Sequence, residues 1–445
     1  MKRSFYNRVL ENVILPFGDV VLGTCFIKQL RRWRKICTLS EKELDRLAEN
    51  NLRSLLVHAV GNVPYYKSLG IEVDGNPYSA IKKFPVMKKN DIKANLSELL
   101  VCPAEKLIKC VSSGSSGIQG TTYENKYEQS IHRAMQILWW EWAGFYLGKS
   151  IIQTGMTERG VVKAVKDFLC RTEYVKAFSH SETEVRNLLL SSRNVKCRHL
   201  GGYASSINVF AETALKYGIE NVRFDSVICW GDKVFGHYRK NVEKAFGAKI
   251  FETYGCAEGI MIGAKKDLDY YYIMSPHVYV EILDDNGNEV PDGAPGHVVL
   301  TRLDNYSMPL IRYYVGDLAV KLPRSKYPNE REMNFPLLEW VIGRDTDIVK
   351  MTSGRYMVVH AFTGVFEYYP QIRQFMVVQR ELDKIEIQYI PSETFSPEVL
   401  DQIQSRLLCG FENELTIEWR AVDYIPATPS GKPQIIQSHL SRTAN

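Results

Sequence analysis

The sequence predicts an α/β protein with two domains. Residues 1–343 are predicted to form a large domain of mixed sheets and helices, and residues 344–445 a small ferredoxin-like α+β domain. The large domain is indicated by a strand, helix, strand order within residues 226–256, which implies parallel pairing. The small domain is indicated by a β-α-β-β-α-β order of elements beyond Gly343.

The composition is that of an ordinary globular protein with roughly two to four domains. The chain has 445 residues, of which 45% are hydrophobic and 24% charged, which excludes a disordered, collagen-like or coiled-coil protein. A net charge of +5 is nearly neutral at this length, so nucleic-acid binding is not expected. The nine cysteines are scattered without a CxxC pair, which indicates reduced thiols, a cytoplasmic protein and no zinc cluster.

Residues 1–100 are predicted to be helical. Ser40 precedes acidic residues and a run of leucines at helical spacing, which indicates a capped helix that ends near Val63. No run of about 20 apolar residues is present, so no transmembrane helix is expected. The basic segment 27–36 leaves two alternatives open: a peripheral contact with a membrane surface, or the solvated face of a helix, which is the commoner case.

Further elements follow in chain order. A helix is predicted over residues 234–246, inside the parallel unit, and strands over 278–283 and 297–303 flank a tight turn. In the small domain, strands are predicted over residues 347–351, 374–379, 384–390 and 415–422, and helices over 361–369 and 397–408.

A loop rich in hydroxyl groups and glycine is the sharpest local motif. It consists of Ser112, Ser113, Gly114, Ser115, Ser116 and Gly117. Its N–H groups and hydroxyls suit phosphate oxygens, and its glycines allow a ligand to approach the backbone. No Gly-Lys-Ser/Thr follows, so the loop is not a Walker A motif. The alternative is a surface loop without a ligand.

Two polar motifs follow predicted strands of the large domain. Residues 253–259 place Tyr254 and Glu258 after an apolar strand, where open α/β sheets bind ligands. The tyrosine ring suits stacking on a base and the carboxylate suits a divalent cation, and the alternative is an ordinary turn. Asp317 follows a glycine and suits bidentate capture of ribose hydroxyls. The pattern around Arg312 favours an ion pair over a ligand role.

Two more motifs lie near and beyond the domain boundary. Residues 342–350 combine glycine with polar side chains, as a hinge requires and as a plain linker turn also would. Lys432 lies in a Gly/Pro loop, where a point charge can meet an anionic transition state. Taken alone, it would be an ordinary exposed lysine.

The order of these motifs resembles that of the adenylate-forming acyl-ligase superfamily, and the resemblance covers essentially the whole chain. Within it, the chain most resembles the phenylacetate–CoA ligase-like branch, which includes capsular polysaccharide biosynthesis proteins of the CapK type and coenzyme F390 synthetases. The resemblance implies that ATP and Mg²⁺ activate a small carboxylic acid as an acyl-adenylate. A thiol, usually coenzyme A, then takes the acyl group.

The resemblance also implies roles for individual residues. Lys432 and Glu258 would be catalytic, the lysine bridging the carboxylate and the α-phosphate and the glutamate holding Mg²⁺. The serine/glycine loop would bind the β- and γ-phosphates, and the other nucleotide ligands would be Gly231, Asp232, Tyr254, Gly255, Cys256, Asp317 and Arg344. The acyl pocket would be lined by Tyr203, Ala204, Ser205, Trp230 and Tyr254. A mobile small domain would rotate about a hinge of Asp345, Thr346 and Asp347.

The rings of Tyr203 and Trp230 suggest an aromatic or flat acid, and core packing is the equal alternative for them. His132, Trp139 and Trp140 are expected to be core residues rather than ligands. Some relatives bind a structural zinc after the glutamate motif, but only Cys256 and His277 are nearby here, so no zinc is predicted.

The sequence departs from the family pattern at several positions. Ile118 and Gln119 stand where many members carry a lysine, Thr346 stands where a hinge acid or lysine is common, and Cys256 replaces the usual Met, Leu or Thr. These departures leave the use of coenzyme A open. The alternative is an adenylate-forming enzyme with an amine or hydroxyl acceptor in polysaccharide or cofactor biosynthesis. A non-catalytic nucleotide-binding scaffold is the third and most remote hypothesis.

Overall fold

The computed structural model describes most of the chain in two compact units. The described residues are 4–111, 120–155, 160–177, 182–195, 198–344, 348–353, 356–366, 368–409, 414–426 and 435–440. The serine/glycine loop, the hinge residues 345–347 and Lys432 therefore lie outside the described residues. The larger unit contains Met1–Val234, Tyr238–Val315 and Ala319–Trp340, and the smaller contains Phe235–His237, Gly316–Leu318 and Val341–Asn445. The predicted boundary between independent domains at residue 343 stays a prediction.

Helices make up most of the first hundred residues. They are α1 (Phe5–Val9), a π-helical turn (Leu10–Ile14), α2 (Leu15–Leu22), α3 (Phe26–Ile36), α4 (Glu41–Asn62), α5 (Pro64–Ser68), α6 (Pro77–Ala80), a 3₁₀ turn (Ile81–Lys83) and α7 (Lys89–Ala94). The predicted capped helix is present as α4, where the Ser40 hydroxyl accepts from the Glu43 N–H and the Glu43 carboxylate accepts from the Ser40 N–H. The helix stops before Pro64, which has no N–H to continue it. Among the described residues, no helix has both the length and the apolar character that crossing a bilayer requires.

An 11-stranded sheet forms the centre of the larger unit. The antiparallel pair β1 (Ile108–Val111) and β2 (Thr121–Glu124) comes before it in the chain. The strands of the 11-stranded sheet are β3 (Ser150–Gly155), β4 (Thr172–Lys176), β5 (Arg198–Tyr203), β6 (Ser226–Trp230), β7 (Ile250–Cys256), β8 (Ile260–Ala264), β9 (Tyr271–Ile273), β10 (Val278–Leu283), β11 (Pro295–Arg302), β12 (Tyr313–Lys321) and β13 (Leu337–Arg344). The helices in this part are α8 (Lys126–Trp142), α9 (Val161–Cys170), α10 (Glu182–Ser191), α11 (Ala204–Lys216) and α12 (Gly236–Phe246).

The sheet has a parallel half and an antiparallel half, in the order β10-β11-β12-β13-β9-β8-β7-β6-β5-β3-β4. The predicted strand, helix, strand unit is confirmed as β6, α12 and β7, with β6 and β7 parallel. The predicted pair of strands around a turn is confirmed as the antiparallel β10 and β11. Because β5, β6 and β7 are parallel neighbours, Tyr203, Trp230 and Cys256 lie at the same edge of the sheet.

The core beside the sheet is built where α3 packs on α8. Leu30 and Trp33 from α3 join Trp139 from α8 in one buried apolar cluster. Trp140 is buried in a neighbouring cluster with Phe145. The expectation that both tryptophans are core residues is confirmed.

The smaller unit contains a four-stranded sheet whose topology corrects the sequence prediction. Its elements are β14 (Ile348–Lys350), β15 (Tyr356–Val358), α13 (Val359–Phe366), β16 (Ile372–Glu381), β17 (Lys384–Pro391), α14 (Glu398–Leu407), β18 (Thr416–Ala421) and β19 (Ile436–Ser438). The sheet order is β18-β17-β16-β19. A ferredoxin-like sheet would insert the first strand between β17 and β18, but here these two strands are direct parallel neighbours.

The reason lies in β14, which is only three residues long and pairs with β15 instead. The side chain of Gln379 both accepts from the Lys350 N–H (2.9 Å) and donates to the Lys350 carbonyl (2.6 Å). These bonds satisfy the backbone N–H and carbonyl of Lys350, the last residue of β14, outside the four-stranded sheet. The fold class is therefore confirmed as mixed α/β with a large mixed sheet and a small C-terminal sheet, and the ferredoxin-like strand arrangement is wrong.

Candidate active site

Glu258 lies in a tight turn between β7 and β8. Its side chain is 5% exposed, and Oε1 accepts a hydrogen bond of 2.8 Å from the Tyr313 hydroxyl. The turn closes at Gly259, whose φ of 76° is in the left-handed region that favours glycine. The predicted cation ligand is thus a carboxylate held in place just beyond the carboxyl end of a parallel strand.

The other residues of this motif surround the glutamate. Tyr254 is half-buried and meets Tyr271 edge-on, with ring centroids 6.2 Å apart. Gly255 forms a bulge in the β7–β8 pairing. Burial, together with the Glu258 carboxylate to which the thiol is hydrogen-bonded, raises the pKa of Cys256 well above its ordinary value. These surroundings disfavour the thiolate, which is the form in which a cysteine acts as a nucleophile.

The predicted pocket segment and the predicted adenine-side segment lie side by side. Tyr203 at the end of β5 pairs with Trp230 at the end of β6. Gly231 has a φ of 79°, and a Cβ there would lie 2.5 Å from the Tyr203 ring, so this close approach requires glycine. Trp230 stacks on Trp140 with centroids 5.6 Å apart, which favours the core-packing alternative for Trp230.

Asp232 caps the helix that begins in the pocket segment. Its carboxylate accepts hydrogen bonds from the Ala204 N–H (2.6 Å), the Ser205 N–H (3.1 Å) and the Ser205 hydroxyl. The residue at the N-cap position of α11, Tyr203, supplies no side-chain acceptor of its own. The carboxylate from the neighbouring loop takes that place, because the first N–H groups of a helix need an acceptor and favour negative charge.

Asp317 and Arg344, both predicted nucleotide ligands, form an ion pair within the smaller unit. The distance from Arg344 Nε to Asp317 Oδ1 is 3.2 Å, and Asp317 is 8% exposed. Arg312 is buried and pairs with Glu281 (Nη2 to Oε1, 3.0 Å), while its Nη1 donates to the Phe84 carbonyl (3.0 Å). The interpretation of Arg312 as an ion-pair residue is confirmed.

A buried charge network lies directly behind the Glu258 turn. Arg302 is fully buried and joins Glu124 (Nη1 to Oε2, 3.0 Å) to Asp304 (Nε to Oδ1, 3.0 Å). His132 pairs with Glu124 (3.1 Å), and His277 Nδ1 lies 2.5 Å from Asp304 Oδ2. His277 Nε2 accepts from the Met261 N–H (3.0 Å), so the proton of the neutral ring is on Nδ1 and is donated to Asp304.

The network touches the turn at Gly259. A Cβ on this glycine would lie 2.7 Å from Arg302 Nη1 and 3.1 Å from His132 Nδ1. Although burial opposes it, hydrogen bonds and charge from His132 and Arg302 lower the pKa of Glu124 to about 2. Sequence reasoning did not single out Glu124, Arg302 or Asp304. The available signal was Arg302, a charged residue at the end of an apolar strand.

The donor set fits magnesium better than zinc. Magnesium is commonly held by one or two carboxylates together with substrate phosphates, and the single carboxylate of Glu258 fits that pattern. Both ring nitrogens of His277 have hydrogen-bond partners within the protein, and the Cys256 thiol is hydrogen-bonded to the Glu258 carboxylate. Among the described residues, no group of three or more His, Cys, Asp or Glu side chains is placed to hold a metal ion. The absence of zinc stays a prediction.

Comparison with known proteins gives the relatives of this chain. No family model matches it. It is 22% identical over 371 residues to protein CapK of Staphylococcus aureus, covering 81% of this chain and 80% of that protein. It is 24% identical over 392 residues to phenylacetate–coenzyme A ligase of Thermus thermophilus, covering 83% and 86%. The chain is therefore similar to adenylate-forming ligases over about four fifths of its length. Its predicted similarity to the phenylacetate–CoA ligase and CapK branch is confirmed.

Solved structures agree on the fold. A structure of 2-hydroxyisobutyryl-CoA ligase in the postadenylation state superposes with a TM-score of 0.71 and covers 91% of each chain. The sequence identity is 18%, so this likeness shows the fold alone.

Proposed function

We propose that the protein uses ATP to activate a small carboxylic acid as an acyl-adenylate and transfers the acyl group to coenzyme A. One observation carries the proposal. Three parallel neighbours, β5, β6 and β7, bring the pocket segment 203–205, the segment 230–232 and the Glu258 turn to one edge of the sheet. Ligands of open α/β sheets bind at this edge.

In the first step, a substrate carboxylate oxygen would attack the α-phosphorus while the bond to pyrophosphate breaks. The nucleophile is ionised at neutral pH, so no general base is needed. Glu258 would hold Mg²⁺, which neutralises phosphate charge when bound. The serine/glycine loop would donate N–H groups to the phosphates, and Lys432 would meet the charge that develops at the α-phosphate.

Asp317 and Arg344 would bind the ribose and its neighbouring phosphate. Their mutual ion pair supports this assignment, because the arginine fixes the carboxylate that would accept from the two ribose hydroxyls. Tyr254 would pack on adenine, with its ring already positioned by Tyr271. Gly231 and Asp232 would line the adenine side, Asp232 through the helix that it caps.

In the second step, the sulfur of coenzyme A would form a bond to the acyl carbon and give up its proton to solvent, and AMP would leave with the electrons of the broken C–O bond. Rotation of the small domain about residues 345–347 would move Lys432 away from the acyl-adenylate and open a path for the thiol. Coenzyme A, ATP and reduced thiols occur together in the cytoplasm, which is where we place the reaction. The eight described cysteines are all free.

The alternative acceptor is an amine or hydroxyl in polysaccharide or cofactor biosynthesis. Thr346, in the place of the more usual hinge acid or lysine, supports this alternative. A glycan-biosynthesis acceptor would then replace coenzyme A as the partner in the second step. The scaffold hypothesis is opposed by the presence of Glu258, Asp317, Arg344 and Lys432 in one chain.

The test is pyrophosphate release from ATP and Mg²⁺ with a panel of aromatic, aliphatic, amino and sugar acids, each with and without coenzyme A. Release that one acid triggers and coenzyme A accelerates is the expected result. Release that is indifferent to coenzyme A would support the other acceptors.

Lys432→Ala should lower adenylation by about a thousandfold with ATP binding retained, because charge stabilisation in the transition state is lost. Lys240→Ala, on the surface of α12, is the matched control. Full activity of Lys432→Ala would contradict the lysine assignment.

A further inference from the structure

The N-terminal helix α2 exposes its apolar side chains. No residue of α2 is buried, and Phe17, Val20 and Val21 are 70%, 82% and 65% exposed. Their spacing places them on one face of the helix. A surface helix of a globular protein usually turns such a face towards the core. The exposed face of α2 is therefore a candidate contact surface.

The next helix, α3, carries a row of cations. Lys28, Arg31, Arg32 and Lys35 recur at helical spacing, and all four are exposed. The opposite face, including Ile27 and Leu30, is part of the buried core. The helix contains no acidic residue, and no carboxylate of the described part of the chain pairs with any of the four cations. A row of this kind attracts an anionic partner.

The only acids of segment 4–39 are turned inward. Asp19 accepts from the Phe26 N–H (3.1 Å) and the Ile27 N–H (2.8 Å), and so holds the N-terminus of α3 against α2. Glu11 pairs with Arg34 (2.5 Å). Asp19 thus joins α2 to α3, and Glu11 joins the preceding π-helical turn to α3. The cations of α3 and the apolar side chains of α2 are left on the outside.

We propose that this α2–α3 surface, formed by Phe17, Val20 and Val21 with the four cations of α3, binds a bilayer that contains anionic lipids. Apolar side chains enter the boundary between headgroups and acyl chains, while adjacent Lys and Arg contact lipid phosphates. Two copies of the chain meeting through this surface would bring like charges together, which disfavours a dimer. A nucleic acid would match the cations but would leave the apolar face in water.

The experiment is flotation of the full chain with vesicles. One set is pure phosphatidylcholine, and the other is an equal mixture of phosphatidylcholine and phosphatidylglycerol. The chain should float with the mixed vesicles, bind the neutral ones much more weakly, and lose most binding in high salt because screening weakens the attraction.

Two triple variants test the two parts of the surface. K28E/R32E/K35E should lower binding to mixed vesicles by at least about a hundredfold, because each cation lost costs roughly fivefold and each new carboxylate is repelled by the anionic lipids. F17S/V20S/V21S should lower binding by about tenfold or more, since apolar burial is lost. The matched controls are K42E/K240E/K244E and V57S/V209S/Y217S, which change exposed side chains elsewhere and should leave binding unchanged.

Three results would overturn the proposal: no flotation with either vesicle, equal losses in the control variants, or binding to duplex DNA without binding to vesicles. A dimer that dissociates in F17S/V20S/V21S, seen by sedimentation velocity and without vesicle binding, would also overturn it. Pyrophosphate release by the same preparations is scored separately, so a failure of this proposal is distinguishable from a failure of the proposed function.

Discussion

Asp232 and Glu258 follow neighbouring parallel strands, β6 and β7, and differ in how their carboxylates are used. Asp232 accepts from two backbone N–H groups and a hydroxyl at the start of α11, so it supports another segment. Glu258 is itself supported. The Tyr313 hydroxyl donates to its carboxylate, and Gly259 beside it lies so close to Arg302 and His132 that a Cβ there would clash with Arg302.

In sequence the two residues look alike, since each is an acid in a turn after an apolar strand. The difference in their contacts shows that the two carboxylates have different tasks. A carboxylate that caps a helix fixes the shape of a pocket. A carboxylate that its surroundings hold, at the carboxyl edge of parallel strands, is available for a ligand. Variants of the support and of the two acids should therefore have different signatures.

The largest effect is expected from Arg302→Leu. Removing this buried guanidinium leaves Glu124 and Asp304 without their common partner, which should lower the free energy of unfolding by about 3–5 kcal/mol. Urea denaturation followed by tryptophan fluorescence measures the loss. The double variant R302L/E124Q should recover part of it, because one of the stranded charges is gone. A loss below about 1 kcal/mol would show that the network does not support the turn.

The second largest effect is the acid sensitivity of the same network. The pKa of Glu124 is lowered from 4.5 to about 2 in the folded chain. A lowered carboxyl pKa contributes stability above its unfolded value and loses it as the pH falls through the folded value. The contribution, roughly 3 kcal/mol at about 1.4 kcal/mol per pKa unit, should therefore disappear between pH 4.5 and about 2.

Burial also lowers the pKa of His132, so acidification costs stability there as well, beginning near its ordinary value of 6.5. Unfolding curves recorded across this pH range test both residues. Glu124→Gln should flatten the acid limb of the profile, and an unchanged acid limb would contradict the assignment.

Glu258→Gln should affect catalysis more than stability. We expect kcat/KM for adenylation to fall about a hundredfold, equivalent to about 2.7 kcal/mol, with a raised requirement for Mg²⁺. Thermal unfolding should move little, since glutamine is close in size and keeps an acceptor for Tyr313. Tyr313→Phe is the matched control and should show a smaller loss with a normal Mg²⁺ requirement. An unchanged Mg²⁺ dependence of Glu258→Gln would remove the cation role.

The sequence predicts best where a local pattern dictates the structure. The periodicity around Ser40 and the strand, helix, strand order at residues 226–256 both require one arrangement, and the structure has it. The strand order of the small sheet was missed, because β14 is held by the side chain of Gln379, 29 residues away in the chain. No local pattern encodes such a contact.

For the candidate site too, local motifs indicated some residues and missed others. Motif order indicated Glu258 and Asp317 as site residues, since the types of side chain needed for this chemistry follow one another along the chain. The network of Glu124, Arg302 and Asp304 was missed because its members come from β2, β11 and the residues after β11, which only the folded sheet brings together. The cap of α11 by Asp232 was missed because it comes from the loop of another strand.

The smallest expected effect comes from Asp232→Ala. It best separates a carboxylate that caps a helix from a carboxylate that its surroundings hold for a ligand. Asp232→Ala removes the acceptor for the first N–H groups of α11 and should cost about 1–2 kcal/mol of unfolding free energy, as loss of a helix cap does. Because residues 203–205 lose their anchor, the KM for the acid should rise more than kcat falls. Ser205→Ala, which removes only one of the three donors, should cost less and keep the same KM pattern. If Asp232→Ala instead left stability intact and abolished ATP binding, Asp232 would be a direct nucleotide ligand, and the distinction from Glu258 would be lost.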